Sequence, residues 1–118
     1  MSHILIMKRY DKRPWGGFEI FSLNKKSTVK ILTIKPKQRF SLQYHKYRDE
    51  LWVFLDNSAR VTLGKKIFNA KKGDEIHVNR KQAHRIQAFS KPVSILEISF
   101  GKFYEDDIVR LEDDYGRI

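Results

Sequence analysis

Apolar and polar residues alternate along most of this chain with a period near two, the spacing that sends successive side chains to opposite faces of a β-strand. Runs rich in β-branched and aromatic residues fall at 18–23, 28–34, 40–45, 51–55, 59–63, 66–69, 75–78, 83–89 and 93–100. Each predicts a strand. Between them lie Asn24-Lys25-Lys26, Pro36-Lys37, Asp56-Asn57, Gly64-Lys65, Lys72-Gly73-Asp74 and Lys91-Pro92, residues that fix φ, tolerate positive φ or hydrogen-bond their own backbone in turns. Many short strands at this spacing predict an all-β sandwich or barrel. The pattern changes only near the end, where Glu105-Asp106-Asp107 can occupy the favourably charged first turn of a helix ahead of Ile108, Val109 and Leu111. A short C-terminal helix is therefore expected.

A chain of 118 residues is long enough for one compact domain, here divided into an N-terminal arm at 1–12, a barrel at 13–100 and a helical tail at 101–118. There is no cysteine, which excludes disulfides and thiolate metal sites and leaves nitrogen and oxygen as the possible metal donors. Ile4-Leu5-Ile6-Met7 is too short for a secretory core, and no apolar run approaches the roughly 18 residues of a membrane helix, so a cytoplasmic protein with no membrane partner is expected. The net charge of +10 is uneven: residues 1–48 hold 12 Lys or Arg against 2 Asp or Glu, and residues 49–118 hold 12 against 12. Such a field attracts anions. The lysines are scattered among strand residues, without an aromatic RNA-binding signature or a recognition helix, so nucleic acid is not the expected partner. A small phosphorylated substrate and a merely solvated basic face both suit the pattern.

The candidate chemistry lies in Ser41-Leu42-Gln43-Tyr44-His45-Lys46-Tyr47-Arg48-Asp49-Glu50-Leu51-Trp52. Gln43 and His45 would project from one face of a strand, roughly 6.6 Å apart at Cα. A polar turn over Lys46 to Asp49 then returns Glu50 beside them, and His84 supplies a further donor. Gln43, His45, Glu50 and His84 together would hold one divalent ion such as Zn, Co, Ni, Mn or Fe, with positions left open for water or substrate. Taken alone, a histidine and a glutamate five residues apart also suit an ordinary hairpin with a polar edge.

Further motifs carry a family resemblance. Arg13-Pro14-Trp15-Gly16-Gly17-Phe18, the Gln43, His45, Arg48, Glu50, Trp52 series, Ala59 to Gly64, His84-Arg85, Ile95 with Glu97-Ile98, Gly101, Glu105-Asp106-Asp107-Ile108-Val109-Arg110 and Asp114-Tyr115-Gly116-Arg117 run in order from Arg13. On these the chain resembles the cupin-fold isomerase domain of type II mannose-6-phosphate isomerases, which usually follows a mannose-1-phosphate guanylyltransferase domain. The resemblance implies a double-stranded β-helix, or jelly roll. Three turns depart from the family pattern. Pro36-Lys37 stands for Pro-Gly, Asp56-Asn57 for a glycine turn, and Val78-Asn79-Arg80-Lys81 for Ile-Pro-x-Gly. The last loses both proline and glycine just before His84, a change able to displace that histidine. The Asp56-Asn57 exchange is expected to work because both residues tolerate positive φ.

The resemblance implies interconversion of mannose 6-phosphate and fructose 6-phosphate, with the metal polarising a carbonyl. Glu97, between Leu96 and Ile98, is the candidate base, since burial would raise its pKa. Arg85 could offer charge to a sugar oxygen, while Arg13 and Arg48 could bind the phosphate, with Lys30 and Lys46 as alternatives. Trp15 could form a wall for the sugar ring. No nucleotide-binding loop is present, so GDP-mannose synthesis is not expected; a separate guanylyltransferase is a possible partner, and a homodimer through exposed sheet edges is expected. Two alternatives remain: an accessory sugar-binding cupin without catalysis, and a cupin acting on a nucleotide-linked sugar.

Overall fold

The structure, a computed structural model, describes residues 9–118; residues 1–8 of the expected arm lie outside it. Among the described residues there are eleven strands and no helix. They are β1 (Arg9–Arg13), β2 (Gly16–Ile20), β3 (Ser27–Ile34), β4 (Leu42–Tyr44), β5 (Asp49–Phe54), β6 (Ala59–Leu63), β7 (Lys66–Ala70), β8 (Glu75–Val78), β9 (His84–Ala88), β10 (Val93–Phe100) and β11 (Val109–Glu112). β1 and β2 form a hairpin of their own, and the remainder makes two sheets, ordered β3-β10-β5-β8 and β11-β4-β9-β6-β7. All the pairings are antiparallel.

The inner faces of these two sheets form the core. Ile34, Trp52, Phe54, Ile76, Val78, Val93 and Ile95 from one meet Ala59, Val61, Ala70, Ile86 and Ala88 from the other. Burying each large side chain contributes on the order of 1.5–3 kcal/mol. The outer face of β10 carries a second cluster, where Leu51, Ile98 and Phe100 pack with Phe21, Val53 and Leu96. Because β10 is covered on both faces at this end, its sequence reads as a nearly continuous apolar run. Glu97 and Ser99 interrupt it, and both are buried on the inner side.

The expected C-terminal helix is not formed. Glu105 and Asp106 sit in a turn, and Val109–Glu112 pairs with β4 through Val109 to Tyr44 and Arg110 to Gln43. A six-residue stretch is too short to hold a helix by itself. Asp107, the supposed helix-start residue, spends its carboxylate instead on the backbone N–H groups of Lys46 (2.8 Å) and Tyr47 (3.1 Å). β-Branched Val109 then suits an edge strand. The hairpin strand β1 and the edge strand β11 both fall outside the predicted strands.

Two of the altered turns place a lysine in a strained conformation. Lys37 has φ 64° and Lys81 φ 66°, so each lysine adopts the left-handed conformation where the family pattern has glycine. Gln38 N donates to Lys35 O (3.0 Å) and Gln82 N to Asn79 O (3.1 Å), closing both turns. The Asp56-Asn57 turn works differently from expectation, since neither residue has positive φ. There the Asp56 carboxylate accepts from the backbone N–H of Asn57 (2.6 Å) and of Ser94 (2.9 Å).

Relief of left-handed strain gains about 1–2 kcal/mol, offset by about 0.4–1 kcal/mol for the freer unfolded chain. Lys81→Gly should therefore raise the melting temperature by roughly 2–5 °C. Lys81→Pro, which removes the N–H that donates to His45 O at 2.6 Å, should lower it well below the wild type in the same thermal melts.

Candidate active site

Strand register assembles the site. Gln43 of β4 stands opposite His84 of β9, and Glu50 of β5 stands between Ser99 of β10 and Val78 of β8. His45 follows β4, two residues beyond Gln43. The imidazoles of His45 and His84 and the carboxylate of Glu50 bring one donor atom each to within 4.8 Å of one another. All three side chains are buried.

Both histidines have their tautomer fixed from behind. His45 Nδ1 lies 2.6 Å from the Asp107 carbonyl and His84 Nδ1 2.9 Å from the Gln82 carbonyl. A carbonyl only accepts, so each Nδ1 carries the proton and each Nε2 turns a lone pair toward Glu50. Burial depresses both imidazoles, His84 to about 4, and keeps them neutral near pH 7. For Glu50, burial pushes the pKa up, but in acid protonated His84 and His45, together with Arg48, outweigh it and hold the carboxyl below its ordinary range. Two neutral nitrogens and an ionised carboxylate are the donors a divalent cation needs. These residues could hold one.

Gln43 lies beside the cluster with its amide nitrogen 3.5 Å from His45 Nε2, its oxygen accepting from Ser41 Oγ. Arg48 is also inside it. The guanidinium donates from Nε to Glu50 Oε2 (2.9 Å), stands 3.3 Å from His45 Nε2 through Nη2, and stacks on Phe103 at 4.3 Å. Glu97 is buried across the same space. Burial first, and then the Glu50 charge, raise its pKa to about 7 against the pull of Lys30 and Arg48. A cavity of about 350 Å³ joins Gln43, His45, Arg48 and Glu97 to Lys30 and Arg110.

Other predicted site residues lie elsewhere. Arg85 follows His84 on its strand and faces the opposite side of the sheet, donating to Phe40 O (3.0 Å) and Glu112 Oε1 (3.0 Å). It does not line the cavity. Trp15 is 73% exposed at the tip of the β1–β2 hairpin, and Arg13 packs over Phe18 on that hairpin at 5.1 Å. Neither lines the cavity. Sequence reasoning missed Asp107, Phe103 and Arg110. Their signal was hidden by the helix reading of the tail, because a strand there would have aimed Arg110 inward beside Gln43.

Comparison with known proteins bears on this arrangement. The family model described as mannose-6-phosphate isomerase C-terminal matches residues 3–113. The chain belongs to that family. Relatives within reach of the mannose-6-phosphate isomerase C-terminal family include the alginate biosynthesis protein AlgA of Pseudomonas aeruginosa, 37% identical over 107 residues, which are 89% of this chain and 22% of AlgA. Another is the mannose-1-phosphate guanylyltransferase ManC of Salmonella typhimurium, 33% identical over 114 residues, or 95% of this chain and 24% of ManC. The chain thus spans about a quarter of the length of the curated relatives it matches. Among solved structures, a double-stranded β-helix protein from Klebsiella pneumoniae matches with TM-score 0.65 and 17% identity over 77% of this chain and 78% of that one. Oxalate decarboxylase from Bacillus subtilis matches with TM-score 0.68 and 25% identity over 74% of this chain and 24% of that one. The fold is the cupin jelly roll.

Asp107 supports the site twice, by its carbonyl on His45 and by its carboxylate on the following turn. Asp107→Ala leaves two N–H groups without their charged acceptor and should destabilise the protein by about 2–4 kcal/mol in chemical denaturation. Asp107→Asn, which keeps one acceptor oxygen, should lose markedly less.

Proposed function

We propose that this chain is a metal-dependent aldose–ketose isomerase that interconverts mannose 6-phosphate and fructose 6-phosphate. The observation that carries the reading is a buried metal-type donor set that reaches a cavity through His45, with a second carboxylate, Glu97, lining the same cavity and poised between its protonated and ionised forms. His45 and His84 would hold the ion through Nε2 and Glu50 through its carboxylate, with Gln43 joining through its oxygen once its two amide atoms exchange places. Zn, Co, Ni, Mn and Fe all suit such donors, and the bound ion supplies positive charge to the carbonyl end of the open-chain sugar.

The chain's own groups account for the proton transfers. Ionised Glu97 removes the proton from C2 of the aldose, and the C–H electron pair becomes the C1–C2 double bond as the carbonyl π pair of C1 moves onto O1. Returning that proton to C1 while the hydroxyl proton passes from O2 to O1 completes the ketose. Arg48 gives up its contact with His45 Nε2 and offers its donors to sugar oxygens. Arg85, on the opposite face of its strand, has no part in this scheme. The proposal includes a cytoplasmic setting and a separate guanylyltransferase as partner, in keeping with the name of the relative ManC. One observation favours a second reading: the hold of Arg48 on His45 suits a sugar-binding module without metal chemistry.

A coupled assay separates the two. Purified protein should carry about one divalent ion per chain by elemental analysis, His84→Ala should lose it, and chelation should abolish turnover while circular dichroism stays unchanged. Turnover that survives chelation would reject the metal-dependent scheme. Glu97→Gln should remove isomerisation with metal content intact.

The metal-free protein offers a pH test of Glu97. Its folded pKa of about 7 exceeds the ordinary 4.5, so between these values the folded state keeps a proton that the unfolded state has released. Stability from this group is therefore full below pH 4.5 and falls as the pH rises to 7. Glu97→Gln should gain stability relative to wild type at pH 8 compared with pH 4, as measured by denaturant midpoints.

A further inference from the structure

We infer that Arg110 of β11 and Lys30 of β3 form an anion clamp across the cavity mouth that binds the phosphate end of the sugar. This rests on the isomerase reading for the substrate and on strand register for the place. Across one sheet, Arg110 stands opposite Gln43 and Gln43 opposite His84. Paired residues project to the same face, so Arg110 shares the inner face with the metal-type donors. Across the other sheet, Lys30 stands opposite Glu97 and Glu97 opposite Trp52. β11 and β3 are each the outermost strand of their sheet. The two cations therefore end their rows at the open edges, while His84 and Glu97 lie further in.

Charge pairing singles out the same two residues. Four cations line the cavity: Lys30, Arg48, Arg110 and Arg117. Arg48 is committed to Glu50 at 2.9 Å and Arg117 to Asp113 at 2.8 Å. Arg110 makes no ion pair among the described residues, and its Nε is buried without a hydrogen-bond partner. A buried unpaired donor is costly unless a ligand satisfies it. Lys30 likewise has no carboxylate within ion-pair distance among the described residues, and its ammonium rests on the Phe103 ring at 4.1 Å. Phe103 is thus held between Lys30 and Arg48, which spaces the mouth cation from the inner one. A phosphate monoester, with two negative charges and several acceptor oxygens, suits a guanidinium and an ammonium approaching from opposite walls. This places the phosphate away from Arg13, which sits on the separate hairpin.

Glucitol 6-phosphate, which has no carbonyl and cannot isomerise, tests the clamp by calorimetry on the metal-loaded protein, against glucitol and gluconate. Wild type should bind glucitol 6-phosphate at least about tenfold more tightly than either, the size expected of a charged hydrogen bond. Arg110→Gln and Lys30→Gln should each weaken that ligand about tenfold and leave glucitol binding and metal content unchanged. Arg110→Lys should recover part of the loss, and Lys25→Gln, in an exposed turn, should match wild type. Unchanged phosphate binding in both glutamine variants would overturn the clamp, as would gluconate binding as tightly as the phosphate or an equal loss for glucitol. If wild type shows this selectivity but no turnover, the clamp stands and the isomerase reading falls. If wild type turns over while the variants bind phosphate normally, the isomerase reading stands and the clamp falls.

Discussion

A carboxylate with no exposed surface, Glu50, sits where the two sheets meet, and a charge so placed must be compensated from every side. Trp52 Nε1 donates to one oxygen at 3.2 Å, and Arg48 Nε at 2.9 Å and Ser99 Oγ at 3.4 Å to the other. The neutral imidazoles of His45 and His84 stand on the remaining side. These groups come from β5, β9, β10 and the turns beside β4, so satisfying one side chain fixes the relation between both sheets. The same requirement explains why polar residues interrupt otherwise apolar strands: Glu97 and Ser99 face inward on β10 because this part of the interior is built around charge.

Support for the site comes largely from backbone groups. The Gln82 carbonyl that orients His84 belongs to the turn containing Lys81, and Arg80 N in that turn donates to buried Asp49 Oδ1 at 2.6 Å. With Lys81 N held by His45 O, the segment is tied both to the strand it precedes and to the one before Glu50. These attachments let the turn keep its course although a lysine takes the place of glycine. His84 stands opposite Gln43 and clusters with His45 and Glu50.

Much of the architecture was legible in the sequence because period-two alternation reports strands directly. The predicted segments at 59–63, 75–78 and 93–100 coincide with β6, β8 and β10. The metal-type donors were legible for the same reason, since alternation places Gln43 and His45 on one face. The tail was misread because an acidic run before apolar residues is locally a sound helix start; only Lys46 and Tyr47, some 60 positions earlier, reveal that Asp107 serves another segment. Adjacency to His84 does not bring Arg85 to the same face, since neighbouring residues on a strand face opposite ways. Arg13 and Trp15 carry a family motif, but the hairpin that holds them pairs only within itself in sheet order.

The bond from His45 to the Asp107 carbonyl joins residues 62 positions apart. During synthesis, β4, His45 just after it and Glu50 all emerge before the group that fixes the histidine's tautomer exists. Closing so long a loop costs entropy, as does the pairing of β3 with β10, whose partners lie between 59 (Ile34 and Val93) and 73 (Ser27 and Phe100) positions apart. The arrangement that orients His45 is complete only when the tail crosses back over it and β11 pairs with β4. The segment leading into the last strand to be made thus sets the proton position of a histidine from the first half of the chain.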